Sequence, residues 1–268
     1  MPEFVDVHSH LNFKDYDSDR AATIERLDAT KTWTITVGTD FESSESACEL
    51  AMNNPEIFAC VGLHPADNLG EIGEIFDEKK YAELISKPKV VAIGECGLDY
   101  FHIKGSEEEK NLAKKHQREI FEKQIVLAAK HNKPLMIHCR DAYDDVYEIL
   151  ASYQKSHSEK VRGNIHFFAG NVEVAKKFLN IGFTLSFTGV ITFARSYDEV
   201  IRFAPLDMIM SETDAPFVTP VPYRGKRNEP SYVCEVVKAI AEIRKEPLEE
   251  VKTSLVSNAF RVFGLDQT

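Results

Sequence analysis

Short apolar runs alternate with longer amphipathic stretches along this chain. Eight runs stand out, at residues 4–7, 33–37, 58–62, 90–94, 135–137, 164–166, 183–187 and 208–210. A strand buried on both faces reads as such an unbroken run. The run ends recur about every 29 residues, the scale of one strand, one helix and their loops. Between the runs, helical spacing covers residues 18–29, 43–52, 141–153, 171–180, 232–244 and 248–263. A further long helix opens at Ser106-Glu-Glu-Glu109, which has the form of a capping box, and runs through Ala129. Asp141 is expected to cap the helix that follows it, and Gly182 to close the helix before it. This alternation predicts an α/β (β/α)₈ TIM-type barrel as a single domain over residues 1–268. The irregular stretches 11–17, 99–105 and 215–230 follow strand-like runs and are expected as loops on the active face.

The polar residues that end the runs carry the chemistry. Val7 leads into His8-Ser-His10, Leu63 into His64, Gly94 into Glu95, Ile137 into His138-Cys-Arg140, Ile165 into His166, and Ser211 into Glu212-Thr-Asp214. Two histidines two apart on an extended segment point to one side and can reach one ion. Asp6, in the same phase, is expected to orient one of them. Any one of these positions has an ordinary structural reading as a polar residue at a strand end. Five of nine histidines at strand ends, where barrel enzymes gather their catalytic groups, is a pattern that reading does not explain. His116, His131 and His157, in charged or helical surroundings, are assigned to solvent, and His102 to a loop beside the cleft.

Four histidines and two carboxylates suffice for two divalent ions, with zinc, manganese or magnesium all compatible. Glu95 has two oxygens and can bridge them; Asp214 can hold a metal or deprotonate a bound water. Two dications, less two carboxylates and one hydroxide, leave the site about one positive charge, enough to draw a phosphate. That matters because the whole chain carries a net charge of −11 and a pI near 5.4, which argues against non-specific attraction to nucleic acid or an anionic membrane. Local cations supply the rest: Arg140, Lys104, and Arg224 and Arg227 in Tyr223-Arg-Gly-Lys-Arg227. Five scattered cysteines with no CxxC pair fit a reducing compartment, and no leader-like or membrane-spanning run is present, so the expected location is cytoplasmic.

The set Asp6-Val-His8-Ser-His10, Gly62-Leu-His-Pro65, Gly94-Glu-Cys-Gly-Leu-Asp99, Pro134-Leu-Met-Ile-His138-Cys-Arg140, His166-Phe-Phe-Ala-Gly170, Glu212-Thr-Asp-Ala-Pro216 and Tyr223-Arg-Gly-Lys-Arg-Asn-Glu-Pro230 resembles the TatD-type metal-dependent deoxyribonucleases of the amidohydrolase superfamily. The resemblance implies a distorted barrel, one metal on His8, His10, Glu95 and Asp214, and a second on Glu95, His138 and His166. It implies hydrolysis of DNA phosphodiesters, often from a strand end. Phe167-Phe168-Ala169 departs from the family's usual small or Cys residue followed by Phe and Ser, which touches pocket shape rather than ligation. On this basis the expected activity is a deoxyribonuclease, an exonuclease using a metal-bound hydroxide, with Asp214 and Glu95 catalytic and His64, Arg140, Arg224 and Arg227 on the phosphates. DNA is the expected partner, and the chain a monomer. The same chemistry attacks carbonyl carbon, so a hydrolase of a small amide or ester, or of an aminoacyl-RNA ester, is the alternative. A non-catalytic metal-binding barrel ranks last, because no ligand is missing.

Overall fold

A computed structural model describes residues 1–66 and 76–265. Eight parallel strands form one sheet in sequence order: β1 (Phe4–Ser9), β2 (Thr32–Val37), β3 (Ile57–Val61), β4 (Val90–Asp99), β5 (Leu135–Arg140), β6 (Gly163–Ile165), β7 (Thr184–Phe187) and β8 (Ile209–Ser211). All eight expected strands are present. Helices α1 (Arg20–Ala29), α2 (Phe41–Asn53), α3 (Glu78–Ile85), α4 (Glu107–His131), α5 (Tyr143–His157), α6 (Val172–Asn180) and α7 (Asp198–Phe203) alternate with them, and α8 (Val233–Arg244) and α9 (Leu248–Phe263) close the chain. The architecture is a TIM barrel.

The edges of the sheet meet just beyond β8. The segment after β8 docks on β1 through His10 N–H to the Ala215 carbonyl (2.7 Å) and Asp214 N–H to the His8 carbonyl (2.9 Å). A parallel bridge joins Ser9 to Ala215. Asp6 reinforces this seam: its carboxylate accepts from the Thr213 amide (2.8 Å) and hydroxyl (2.7 Å) and from the Thr34 hydroxyl (3.3 Å). Burial pushes the Asp6 carboxyl well up despite those donors. Asp6 thus ties strands rather than orienting an imidazole, correcting that expectation; its bond to His8 is to the backbone amide.

Two apolar clusters hold the layers. One joins Val5, Val7, Ile35, Val37, Met136 and Met210 of the strands to Ala259 and Phe263 of α9. The larger packs the other strand faces against the helices, for example Ala59 and Val61 with Ala47, Cys48 and Ala51 of α2. Each fully buried large side chain contributes about 1.5–3 kcal/mol of transfer free energy.

Local signals mostly did what their chemistry requires. Ser106 and Glu109 form the expected reciprocal box, with Ser106 N–H donating to Glu109 Oε2 (2.6 Å) and Glu109 N–H to Ser106 Oγ (3.3 Å). Asn171 caps α6. The expected cap at Asp141 is wrong: α5 begins one residue later from Ala142, with no side-chain cap, and Asp141 sits at φ 56°. Helices α3 and α7 carry no expectation from the sequence. At eight and six residues, each spans only about two turns, too few for the apolar repeat to stand out. His131 is half-buried, with its Nε2 shielded from water, rather than solvent-facing.

Candidate metal centre

Glu95 sits in the middle of the cluster that the strand ends build. Its Oε2 faces Nε2 of His8 (3.5 Å) and of His10 (3.7 Å). Its Oε1 faces Nδ1 of His138 (3.0 Å), Nε2 of His166 (3.0 Å) and Nε2 of His64 (3.4 Å). Asp214 Oδ1 completes the first side, 3.4 Å from His10 Nε2 and 3.7 Å from His8 Nε2. Three groups have donor atoms within 4.8 Å of one another: His8–Glu95–His166, His8–His10–Asp214 and His64–Glu95–His138. The six residues expected as ligands, together with His64, come from six separate stretches of sequence and here lie together.

Irregular strands aim them. The β1–β2 register shifts between Asp6 and Ser9, and the β4–β5 register shifts between Ile93 and Cys96. Such bulges re-aim side chains beside active sites. β4 also continues past Gly94 to Asp99, so Glu95 is a strand residue rather than the first residue of a loop. Gly94 permits this: it sits at φ +154°, and a Cβ there would lie 2.3 Å from the Met136 carbonyl oxygen.

Partners outside the cluster fix the rings. His166 Nδ1 lies 3.3 Å from Glu212 Oε1, and Glu212 also accepts from the Phe167 amide (2.7 Å) and the Ser186 hydroxyl (2.6 Å). His138 Nε2 lies 3.0 Å from Asp99 Oδ2, and His10 Nδ1 3.0 Å from the Val37 carbonyl. His8 stacks on His166, ring centroids 3.8 Å apart. A buried carboxylate or carbonyl on the far nitrogen is what a metal-ligating histidine characteristically has.

The charges suit a cation. Burial holds the His8 imidazole down, to about 3, so its ring is neutral and offers a lone pair. Burial works against charge on Glu95 too, but the surrounding imidazoles outweigh it and hold the carboxyl well below the usual range. The carboxylates likewise outweigh burial at His10, His138 and His166 and push them up. Nε2 of His8 and of His10 face each other at 3.2 Å. Two ring nitrogens so placed need a shared proton or a cation between them. Nitrogen and carboxylate donors converging in this way fit a divalent transition metal.

The cluster floors a cavity of about 750 Å³. Each expected active-face loop supplies a wall residue: Phe13, His102 and Phe217. Arg140 also lines it, with its guanidinium 3.7 Å from the Phe101 ring centroid. Arg224 and Arg227 are not among the lining residues. Arg227 makes a bidentate pair with Asp19 (2.7 Å to each oxygen), and Arg224 stacks on Phe193 (3.9 Å) while donating to the Thr219 carbonyl. Lys104 is exposed outside the lining. Tyr197 and Thr39 line the cavity without any motif to announce them, while Phe167 and Ala169 of the His166 motif line it as well.

Comparison with known proteins agrees with this geometry. The family described as TatD related DNase matches residues 5–264. The metal-dependent hydrolase YabD of Bacillus subtilis is 41% identical over 264 residues, covering 97% of this chain and 99% of YabD. The metal-dependent hydrolase YcfH of Escherichia coli K12 is 32% identical, covering 98% and 96%. Among solved structures, the TatD homologue YjjV of Escherichia coli superposes with a TM-score of 0.86 at 26% identity, covering 98% of each chain. The chain belongs to the TatD family and is a metal-dependent hydrolase.

Proposed function

We propose that this hydrolase cleaves DNA phosphodiester bonds at a centre of two divalent ions, as an exonuclease. The observation that carries the reading is the division of Glu95: one oxygen faces His8 and His10, the other His138, His166 and His64. A carboxylate so divided could hold two ions, which His8, His10 and Asp214 on one side and His138 and His166 on the other would help to hold. Divalent ions held there, zinc, manganese or magnesium, would supply Lewis acidity to a water and to the phosphoryl group.

The residues do the rest. Asp214, whose side chain is 13% exposed where those of His8 and Glu95 are 0% and 5%, reaches the cavity and takes a proton from the attacking water. Arg140, braced on Phe101, holds a non-bridging phosphate oxygen, and His64 faces the same space. Arg224, outside the lining, serves a more distant phosphate of a polymer, whereas the expected phosphate role of Arg227 gives way to its pair with Asp19. Arg140 in the cavity, together with bound dications, would let an acidic protein select a polyanion by local field.

We also infer a cytoplasmic monomer. All five cysteines are free and four are buried. Among the described residues no helix is long and apolar enough to cross a membrane.

The test is nucleotide release from end-labelled DNA after metal removal and reloading with Mg²⁺, Mn²⁺ or Zn²⁺. Activity that survives both chelation and Glu95→Ala refutes the reading. Turnover of amides or aminoacyl esters far above that of DNA replaces it with acyl hydrolysis.

A further inference from the structure

The strongest arrangement the reaction has not used is at the end of β4. Asp99 is fully buried, and its Oδ2 is shared: His138 Nε2 lies 3.0 Å away and His102 Nδ1 2.7 Å away. The Asp99 Oδ1 accepts from the His102 amide at 3.0 Å. One carboxylate thus fixes both a ring beside Glu95 and a second ring outside the cluster. The His102 side chain is 47% exposed and lines the same cavity as Glu95 and Asp214. With Nδ1 committed to Asp99, Nε2 is the nitrogen left to meet a substrate. Phe101 sets the ring's place: His102 packs edge-on against it (5.1 Å, 89°), and Arg140 lies over the same ring. Asp99 and Arg140 are register partners on β4 and β5, so His102 and Arg140 hang from neighbouring strand ends at one level.

A local cap explains part of this, since an Asp commonly binds a backbone amide a few residues on. It does not explain why the other oxygen of Asp99 is shared between two imidazoles, or why the exposed one faces the cavity.

We propose that His102 is the general acid that protonates the leaving oxygen, with Asp99 as its positioning residue; this rests on the phosphodiesterase reading above. In the step, the bond between phosphorus and the leaving oxygen breaks, and its electron pair stays on that oxygen. The oxygen takes the proton from His102 Nε2, while the Nδ1 proton stays on the ring, hydrogen-bonded to Asp99. Water supplies the oxygen that bonds to phosphorus, and its proton goes to Asp214. Solvent then reprotonates His102 and deprotonates Asp214. A buried carboxylate behind an imidazole fixes its tautomer and supports its cationic form, which is the orienting logic of acid–base pairs generally. The groups facing His102 are Asp99, the Phe101 edge and, through that ring, Arg140; His138 lies across the shared oxygen.

Leaving-group dependence tests this. An alkoxide leaving from DNA needs a proton, whereas p-nitrophenolate does not. His102→Gln should slow hydrolysis of a labelled oligonucleotide about 10²–10⁴-fold. It should slow bis(p-nitrophenyl) phosphate less than about tenfold, with bound metal unchanged by elemental analysis. Asp99→Asn should show the same selective loss on DNA, together with weaker metal retention because it also releases His138. An equal loss on both substrates, or no loss on DNA, overturns the role of His102 alone. Wild-type protein that turns over neither substrate overturns the nuclease reading itself.

Discussion

The Asp214 amide donates to the His8 carbonyl at 2.9 Å, so the first and last of the candidate ligands are tied main chain to main chain across the seam of the barrel. The separation of their main chains is therefore fixed at the seam, and their side chains meet at 3.7 Å. Rigid placement of this kind is what a metal centre requires of its scaffold.

Metal occupancy should stabilise the fold, because the donor groups converge only in the native state. Stripping with a chelator should lower the thermal midpoint, and adding Mn²⁺ or Zn²⁺ should restore it. A free ion at 100 times its dissociation constant contributes about 2.7 kcal/mol. A midpoint indifferent to chelation and metal would contradict the assignment of these residues as ligands.

Glu212 touches no proposed ion, yet three groups depend on it: His166 Nδ1, the Phe167 amide and the Ser186 hydroxyl. Glu212→Gln should leave the protein folded and weaken metal affinity or activity about 10–100-fold, as loss of a ligand's supporting carboxylate does. Metal titration of the stripped variant checks it, and wild-type affinity would show that Glu212 is not needed to orient His166.

Gly94→Ala should act through the backbone. The new Cβ meets the Met136 carbonyl oxygen at 2.3 Å, and φ +154° is strained for any side chain. The expected cost is about 1–3 kcal/mol in denaturant unfolding, with loss of bound metal because the following Glu95 is displaced. Unchanged stability and metal content would show that β4 can shift to accept a methyl group.

Asp19 and Arg227 fasten the loop after β8 to the start of α1. Hydrogen bonds from Arg227 hold the Asp19 carboxyl below its ordinary value. A carboxyl whose folded pKa is depressed contributes stability above its unfolded pKa, about 3.9, and loses it as pH falls through the lower folded value. The difference in melting temperature between wild type and Asp19→Asn should thus be small but positive near neutrality and shrink towards pH 3. A difference that stays constant, or grows on acidification, would mean the pair does not act through the Asp19 charge.

Much of the architecture was written along the chain. The eight apolar runs became the eight strands, the Ser106–Glu109 box opened α4, and the residues ending the runs became the floor of the cavity. These are local properties: strand burial, caps and turns each leave a signature within a few residues. What the sequence could not carry was direction across neighbours. Asp6 shares the extended phase of His8 on paper, but a register shift in β1 and the donors of Thr213 and Thr34 turn it to the seam. Arg227 looks like a free cation until Asp19, 208 residues away, takes both of its terminal nitrogens. Asp99 marks only the start of an expected loop in the sequence, and it is the pairing of β4 with β5 that brings His138 to the same oxygen that holds His102. The sequence by itself determined the strands and the chemical types at their ends, because apolar burial and ligand chemistry are read residue by residue. Only the tertiary structure decided which polar groups face the cavity and which satisfy one another, because that depends on register and on competition among partners far apart in the chain.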